Sequence, residues 1–498
     1  GQACEPVVQV EASVTLRGVP GDFGEAQQLA FALAMAAILD IDPKFFEVLT
    51  QVYSAAEVTL EALKAGYGLG DAPRLWREEF DEWMLQESRF AKSRYDECFY
   101  IKKLFAGSAQ TQLLADMHVD DVECAATWDD IRRFRGRLEK RFGPVKMEYK
   151  SFKHTGIMYH QPDSCEEIIQ EQIAFVQAIP YYGVKKERKA QKDSPLTTEE
   201  HKGYRSILGG LQWVTRTRGD ISAALGELQR FAAKPVVENL VAANALLRRA
   251  KDTAEANFLR YKKQPAGPKR LVVHPDSSFN GRTDPKSRSR AGWTIMLVPD
   301  GPETLDTQVA HVLSFPSRSV NRVTKSTLSA EGIAHATALE DAIRIAGWMH
   351  EIDQPIGSTM EAITAQENGF STPIDVATDA RSLFDVITSA VEPHPADTSS
   401  ILWLRWIREV YQRGGARRAI WLGTMDMLGD ALTKDAVDSA KLTAAMANGW
   451  YAAEYACVCG GGIIDAWKGL PPSKKDRDGK PQEAEAWMNS VLLALLNR

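Results

Sequence analysis

Residues 271–297 read LVVHPDSSFNGRTDPKSRSRAGWTIML, and this stretch decides the fold. A short apolar strand leads from Leu271 to Asp276. A polar turn follows, with Gly281, Arg282, Lys286, Arg288 and Arg290, and Gly292 to Leu297 forms a returning strand. The pattern predicts a β-hairpin with one carboxylate at the end of its first strand. Alone, such an Asp reads as an ordinary turn residue.

Three later acids change its weight. Glu331 lies in KSTLSAEGIAHATALEDA, where Ser and Thr precede a helical run with Ala334, Ala338, Ala342 and Ile345 on one face. Asp379 ends the apolar strand Ile374 to Thr378, and Ala380-Arg381-Ser382-Leu383 opens a helix. Asp430 sits in MLGDALTK, after the strand Ala419 to Leu422. Hard divalent cations take oxygen ligands, and two of them about 3.5–4 Å apart can activate a water and stabilise a leaving phosphodiester oxygen. Four carboxylates on four elements could hold such a pair. The plain alternative is that these are surface acids among 66 Asp and Glu.

A second acidic constellation lies earlier. LLADMHVDDVECAA (113–126) predicts a tight hairpin with Asp120 and Asp121 at its tip. LDIDPKFFEVL (39–49) places Asp40 and Asp42 after an apolar run. Paired acids at a tip can grip a divalent cation, and each set also reads as turn residues. Trp76, Phe80 and Trp83 recur at helical spacing and are core candidates. Thr127 with Asp130 caps an amphipathic basic helix carrying Ile131, Phe134, Leu138 and Phe142.

The ordered pieces DSSFNG, RSRAGW, STLSAEGIA, ATDARS and LGDALTK resemble the RNase H domain of copia-type LTR retrotransposon Pol polyproteins. They span about 160 residues, and LGDALTK is the most specific of them, the family commonly writing LADILTK. YGLGDAPRLW, YDECFY and HVDD resemble the reverse transcriptase of the same polyproteins, which writes YGLKQAPRAW, YDPCLY and YVDD. FKHTGIMY (152–159) resembles the sheet segment that follows, and YRSILGGL with TRTRGDI the helical bridge between the two activities. The resemblance implies that Asp276, Glu331, Asp379 and Asp430 bind Mg2+ or Mn2+ for RNA cleavage. It implies that Asp120, Asp121 and Asp40 serve the polymerase cations. The chain departs from the family at Asp71, His118, Ser329, Ala380 and Thr398 to Ile401.

Composition bounds these readings. The 498 residues allow about three domains, and 44% apolar with 25% charged content is ordinary for globular chains. No run of 18 apolar residues occurs, and Leu29 to Leu39 lacks a basic start, so neither a membrane span nor a signal peptide is expected. Six scattered cysteines fit a reducing, intracellular setting, cytoplasmic or nuclear. The net charge of −6 does not itself suggest nucleic acid. Between Arg132 and Lys153, however, nine basic residues face two acids, and KKERKAQK (185–192) forms a second basic cluster. Such patches can bind phosphates or simply be solvated helix faces.

The expected architecture is α/β (α+β). A polymerase palm/fingers-like domain covers 1–160 and a helical thumb or connection 161–263. An RNase H-like mixed-sheet domain covers 264–436, and a helical, partly disordered tail 437–498. The resemblance implies a retrotransposon RNA-directed DNA polymerase with RNase H activity. Its partners would be an RNA template, a DNA primer, deoxynucleotide triphosphates and the RNA–DNA hybrid. Two alternatives stay open: a degenerate or domesticated element that binds nucleic acid without turnover, and a protein in which only the RNase H half is active.

Overall fold

The computed structural model describes the backbone of residues 10–15, 46–49 and 57–62. It describes residues 72–460 apart from 106–107, 109, 120, 280–287, 302–307, 355–357, 390–394, 396, 436–437 and 454. Asp40, Asp71, Asp120 and the part of the expected tail beyond residue 460 lie outside the described residues.

The opening stretch forms the two longest strands of the main sheet, β12 (Lys269–Ser278) and β13 (Arg290–Pro299). They pair antiparallel with Asp276 opposite Gly292, and β12 runs two residues past Asp276 rather than ending there. β15 (His311–Ser314) and β16 (Ser317–Ser319) both pair with β13. β17 (Ile374–Thr378) joins β12 in parallel, and β18 (Arg418–Leu422) joins β17 in parallel. β20 (Tyr455–Gly460) closes the order β15-β13-β12-β17-β18-β20.

Both faces of this sheet are covered, which is why β12 opens as an unbroken apolar run. Leu271 and Val273 face α8 (Thr327–Asp353), whose Ala334, Ala338, Ala342 and Ile345 are buried. Alanines every four residues let this helix lie close to the strands. Val272, on the opposite face, packs with Met296, Leu428, Leu432, Leu442 and Tyr451. The alternation then carries His274 and Asp276 to the Val272 side and Ser277 to the α8 side.

Two further units precede this sheet. β4 (Ala91–Lys92), β5 (Phe99–Lys103), β6 (Thr111–His118) and β7 (Asp121–Ala126) form a sequential sheet. Leu113, Ala115 and Met117 on alternate positions of β6 share a core with Phe80, Trp83 and Phe134. The helices α5 (Thr198–Val214), α6 (Ser222–Arg230) and α7 (Val237–Asp252) form a separate bundle with its own core.

Pairing crosses the expected boundaries in two places. β8 (Ser151–His154) and β9 (Ile157–His160) continue into β10 (Glu167–Glu171) and β11 (Leu259–Lys262), so a cut at 160 divides a four-stranded sheet. Residues 161–263 are therefore not wholly helical. Likewise β20 belongs to the main sheet, so its edge does not fall at 436.

The end of α8 holds the N-terminal unit. Glu351 accepts from Ser93 Oγ at 2.6 Å and from the Arg94 amide at 2.8 Å. Phe99 meets Trp348 edge-on, with ring centroids 4.7 Å apart. Among the described residues, no helix is long and apolar enough to cross a membrane.

Candidate metal centre

Three acids far apart in sequence meet at one end of the main sheet. Asp276 reaches it from β12, and Asp379 follows directly on β17. Asp430 is the first residue of α12 (Asp430–Thr433). One carboxylate oxygen from each lies within 4.8 Å of the other two. Glu331 comes from α8 on the opposite face, close enough to Asp276 and Asp379 to feel both, with Ser277 beside it. Asp276, Glu331 and Asp430 are buried and Asp379 half-buried.

Two glycines allow this approach. A Cβ on Gly429 would stand 2.5 Å from the His274 carbonyl oxygen and 3.1 Å from Asp276 Cβ. A Cβ on Gly292 would stand 2.7 Å from Leu432 Cβ. Real side chains do not pack that closely, so α12 lies against β12 and β13 only because both positions lack a Cβ. Asp379 is placed by a turn in which Thr378 Oγ1 accepts from the Ala380 amide at 3.1 Å, and Thr424 lies against its carboxylate.

The electrostatics are unbalanced. Four carboxylates face one ammonium, Lys434, whose Nζ bonds Asp430 Oδ1 and lies 3.5 Å from Asp276 Oδ1. Thr433 Oγ1 donates to Asp276 Oδ2. Burial, then the neighbouring Asp430, pushes the Asp276 carboxyl up to about 7. Burial, then Asp276, pushes Glu331 up to about 9. Asp379 is raised by burial and then by Asp430, with Thr424 opposing. Burial works against the Lys434 ammonium, yet Asp276 and Asp430 outweigh it and its pKa is raised. Crowded, buried oxygen donors with uncompensated charge fit a hard divalent cation.

The sequence reading assigned no role to Lys434, Thr433 or Gly429. The signal for Lys434 was present: it lies one helical turn after Asp430, where a cation faces an acid. The glycine contact is non-local and has no such signal.

Of the earlier candidate acids only Asp121 is among the described residues. Asp121 is exposed at the start of β7, opposite His118 in the register. Among the described residues it joins no cluster of three acid, His or Cys side chains able to hold a cation. The hairpin tip itself is held: Val119 has φ 58°, and Trp76 Nε1 donates to its carbonyl at 2.7 Å. Asp116 and Glu123 face each other across the strands, and burial, then Asp116, pushes Glu123 up to about 6.

The arginines of the basic helix α2 (Trp128–Phe142) have partners within the chain. Arg132 pairs with Asp129, Arg133 with Asp130, Arg135 with Glu139 and Arg141 with Glu79, while Arg137 donates to the Glu87 carbonyl. Arg218 and Asp220 of the Arg-Gly-Asp triplet bond each other at 2.8 Å, and Arg218 is buried.

The chain is similar to retroelement Pol polyproteins. One relative is the retrovirus-related Pol polyprotein from transposon TNT 1-94 of Nicotiana tabacum, 24% identical over 411 residues. The match covers 79% of this chain and 28% of that polyprotein, so the chain spans little more than a quarter of its relative. No family model matches. Solved structures that overlap include the N-terminal RNase H domain of a Mycobacterium tuberculosis protein, at 17% identity, 35% of this chain, 98% of that chain and TM-score 0.21. A foamy viral protease-reverse transcriptase in complex with dsDNA overlaps at 13% identity, 73% of this chain, 61% of that chain and TM-score 0.15. At such scores neither overlap bears on the fold.

Proposed function

We propose that this chain is the reverse transcriptase and RNase H portion of a copia-type retrotransposon Pol polyprotein. On this reading the unit around residues 264–436 cuts the RNA strand of RNA–DNA hybrids. The supporting observation is the meeting of Asp276, Asp379 and Asp430 within 4.8 Å, with Glu331 closing from the other face. Bound Mg2+ or Mn2+ would supply an activated water and charge stabilisation at the scissile phosphate.

The chain's own groups have separate tasks. Thr433 and Lys434 fix the direction of the Asp276 carboxylate. Lys434 also offsets part of the charge that Asp430 adds. Burial and mutual repulsion raise the carboxyls of Asp276 and Glu331, which favours their protonated forms while no cation is bound. Beside this end of the sheet, β16 and the segment after it expose Arg318, Arg322 and Lys325. These cations suit a phosphate backbone, so hybrid binding should weaken with salt.

Polymerase activity through Asp120, Asp121 and Asp40, with deoxynucleotide triphosphates on an RNA template and DNA primer, is part of the same proposal. A second reading keeps only the nuclease. It is motivated by the burial of Asp276, Glu331 and Asp430, whereas Asp121 is exposed.

The test is hybrid cleavage with Mg2+, comparing the parent with Asp276→Asn and Asp379→Asn. Loss of an outer-shell partner commonly costs 10–100-fold, so loss of a ligand should cost roughly 100-fold or more in RNA cutting, with hybrid binding retained. Equal cutting by all three proteins would remove the assignment. Primer extension that persists in Asp121→Asn would remove the polymerase role of that acid.

A further inference from the structure

We propose that His274 and Tyr451 are positioning residues that set Asp430 against Asp276. The inference rests on reading the acids as a cation centre.

His274 is fully buried on β12, two residues before Asp276 and on the same face. Its Nδ1 accepts from the Leu428 amide at 3.4 Å. Its Nε2 lies 2.8 Å from the Tyr451 hydroxyl, and the two rings meet edge-on at 5.4 Å. Leu428 directly precedes Gly429 and Asp430. The loop that delivers Asp430 is thus bonded by the imidazole at Leu428 and lies directly against the strand backbone at Gly429.

Packing alone does not call for this pair. Val272, Met296, Leu428 and Leu432 surround it, and an apolar side chain would fill such a space. Burying an imidazole and a phenol there costs stability unless both are bonded, and what bonded polar groups add is direction. Tyr451 lies on β19 (Trp450–Tyr451), which pairs with β14 (Gln308–Val309). It follows α13 (Ala440–Asn448), well past residue 436. A segment outside the expected catalytic domain thus braces one of its acids.

The test is Mn2+ binding to the full chain, read by the electron paramagnetic resonance of free Mn2+. Melting temperature without cation is the control. Outer-shell partners of metal ligands are commonly worth 10–100-fold in affinity, so Tyr451→Phe and His274→Leu should each weaken Mn2+ binding about tenfold. His274→Asn places an amide oxygen near the position of Nδ1 and should recover most of the loss. Tyr451→Phe leaves the buried imidazole Nε2 without its partner and should melt somewhat lower, so the recovery by His274→Asn, not the melting temperature, separates a positioning role from a packing one. Parental affinity in both Tyr451→Phe and His274→Leu would overturn the inference while leaving the centre intact. An Asn variant no better than Leu would assign His274 to packing and overturn it as well. A parent that takes up no Mn2+ would overturn the cation reading, and this inference with it.

Discussion

Gly429 and His274 stand so close that a Cβ on the glycine would lie 2.5 Å from the histidine's carbonyl oxygen. That approach lets Asp430 share a site with Asp276. Gly429→Ala forces α12 away from β12, and overpacking of this kind costs about 1–3 kcal/mol. Thermal unfolding should show that loss, and divalent-cation affinity should fall with it. An alanine variant that binds cation as the parent does would separate the glycine from the site.

The raised acids give a pH dependence of definite sign. A carboxyl whose pKa is higher folded than unfolded makes the folded state bind the extra proton, so stability falls as pH rises between the two values. For Asp276 that window runs from about 4 to about 7. Buried His274 and His335 act oppositely, both being lowered, and they destabilise the fold as pH falls below their unfolded value. The difference between Asp276→Asn and the parent isolates the carboxyl. Without cation, the variant should melt increasingly above the parent as pH rises from about 4 to about 7, and the gap should be at its full size at pH 8. A parent equal to the variant at pH 8 would contradict the raised pKa.

Mg2+ competes with those same protons. Its stabilising effect on the parent should therefore be small at pH 5 and grow towards pH 8, because protonated carboxyls are poor ligands. Asp276→Asn should lose most of that growth. Differential scanning fluorimetry across pH, with and without Mg2+, reads both.

The other end of the sheet carries a structural cluster. Asp375 is fully buried and meets Arg417 at 2.7 Å and Arg270 at 3.3 Å. Arg417 also forks onto Asp300. Removing one partner of such a group leaves buried charge uncompensated, so Asp375→Ala should lose about 3–5 kcal/mol in chemical denaturation. Cation affinity of the folded fraction should be unchanged.

Glu351 ties the N-terminal unit to the helix that carries Glu331. Burial raises its carboxyl, with Ser93 and the Arg94 amide opposing. Glu351→Ala leaves those two donors unmet, at about 1–3 kcal/mol, whereas Glu351→Gln keeps an acceptor. Hydrogen exchange should quicken around residues 93–95 and the end of α8 in the Ala variant. Unchanged exchange in both segments would show that this contact does not hold the two units together.

Much of the centre was legible because its signals are local. Each acid sits where an apolar periodicity changes: Asp379 at the end of a five-residue strand, Glu331 in the first turns of an alanine-rich helix, Asp430 at a helix start. What was missed depends on distant partners. Glu167–Glu171 reads as polar connection, yet it is an inner strand, paired with Ile157–His160 on one side and with Leu259–Lys262, some ninety positions later, on the other. Tyr451 looks like an ordinary aromatic until His274 is seen against it. The ion pairs of the basic helix, by contrast, are local. Asp129, Asp130 and Glu139, three or four positions from the arginines, were already in view as partners.

The most direct measurement is anomalous diffraction from crystals grown with Mn2+. A peak bounded by the carboxylates of Asp276, Asp379 and Asp430 is the predicted result, lost in Asp379→Asn. Clear density for those side chains with no peak between them, at cation concentrations that support hybrid cleavage, would contradict the assignment of this centre.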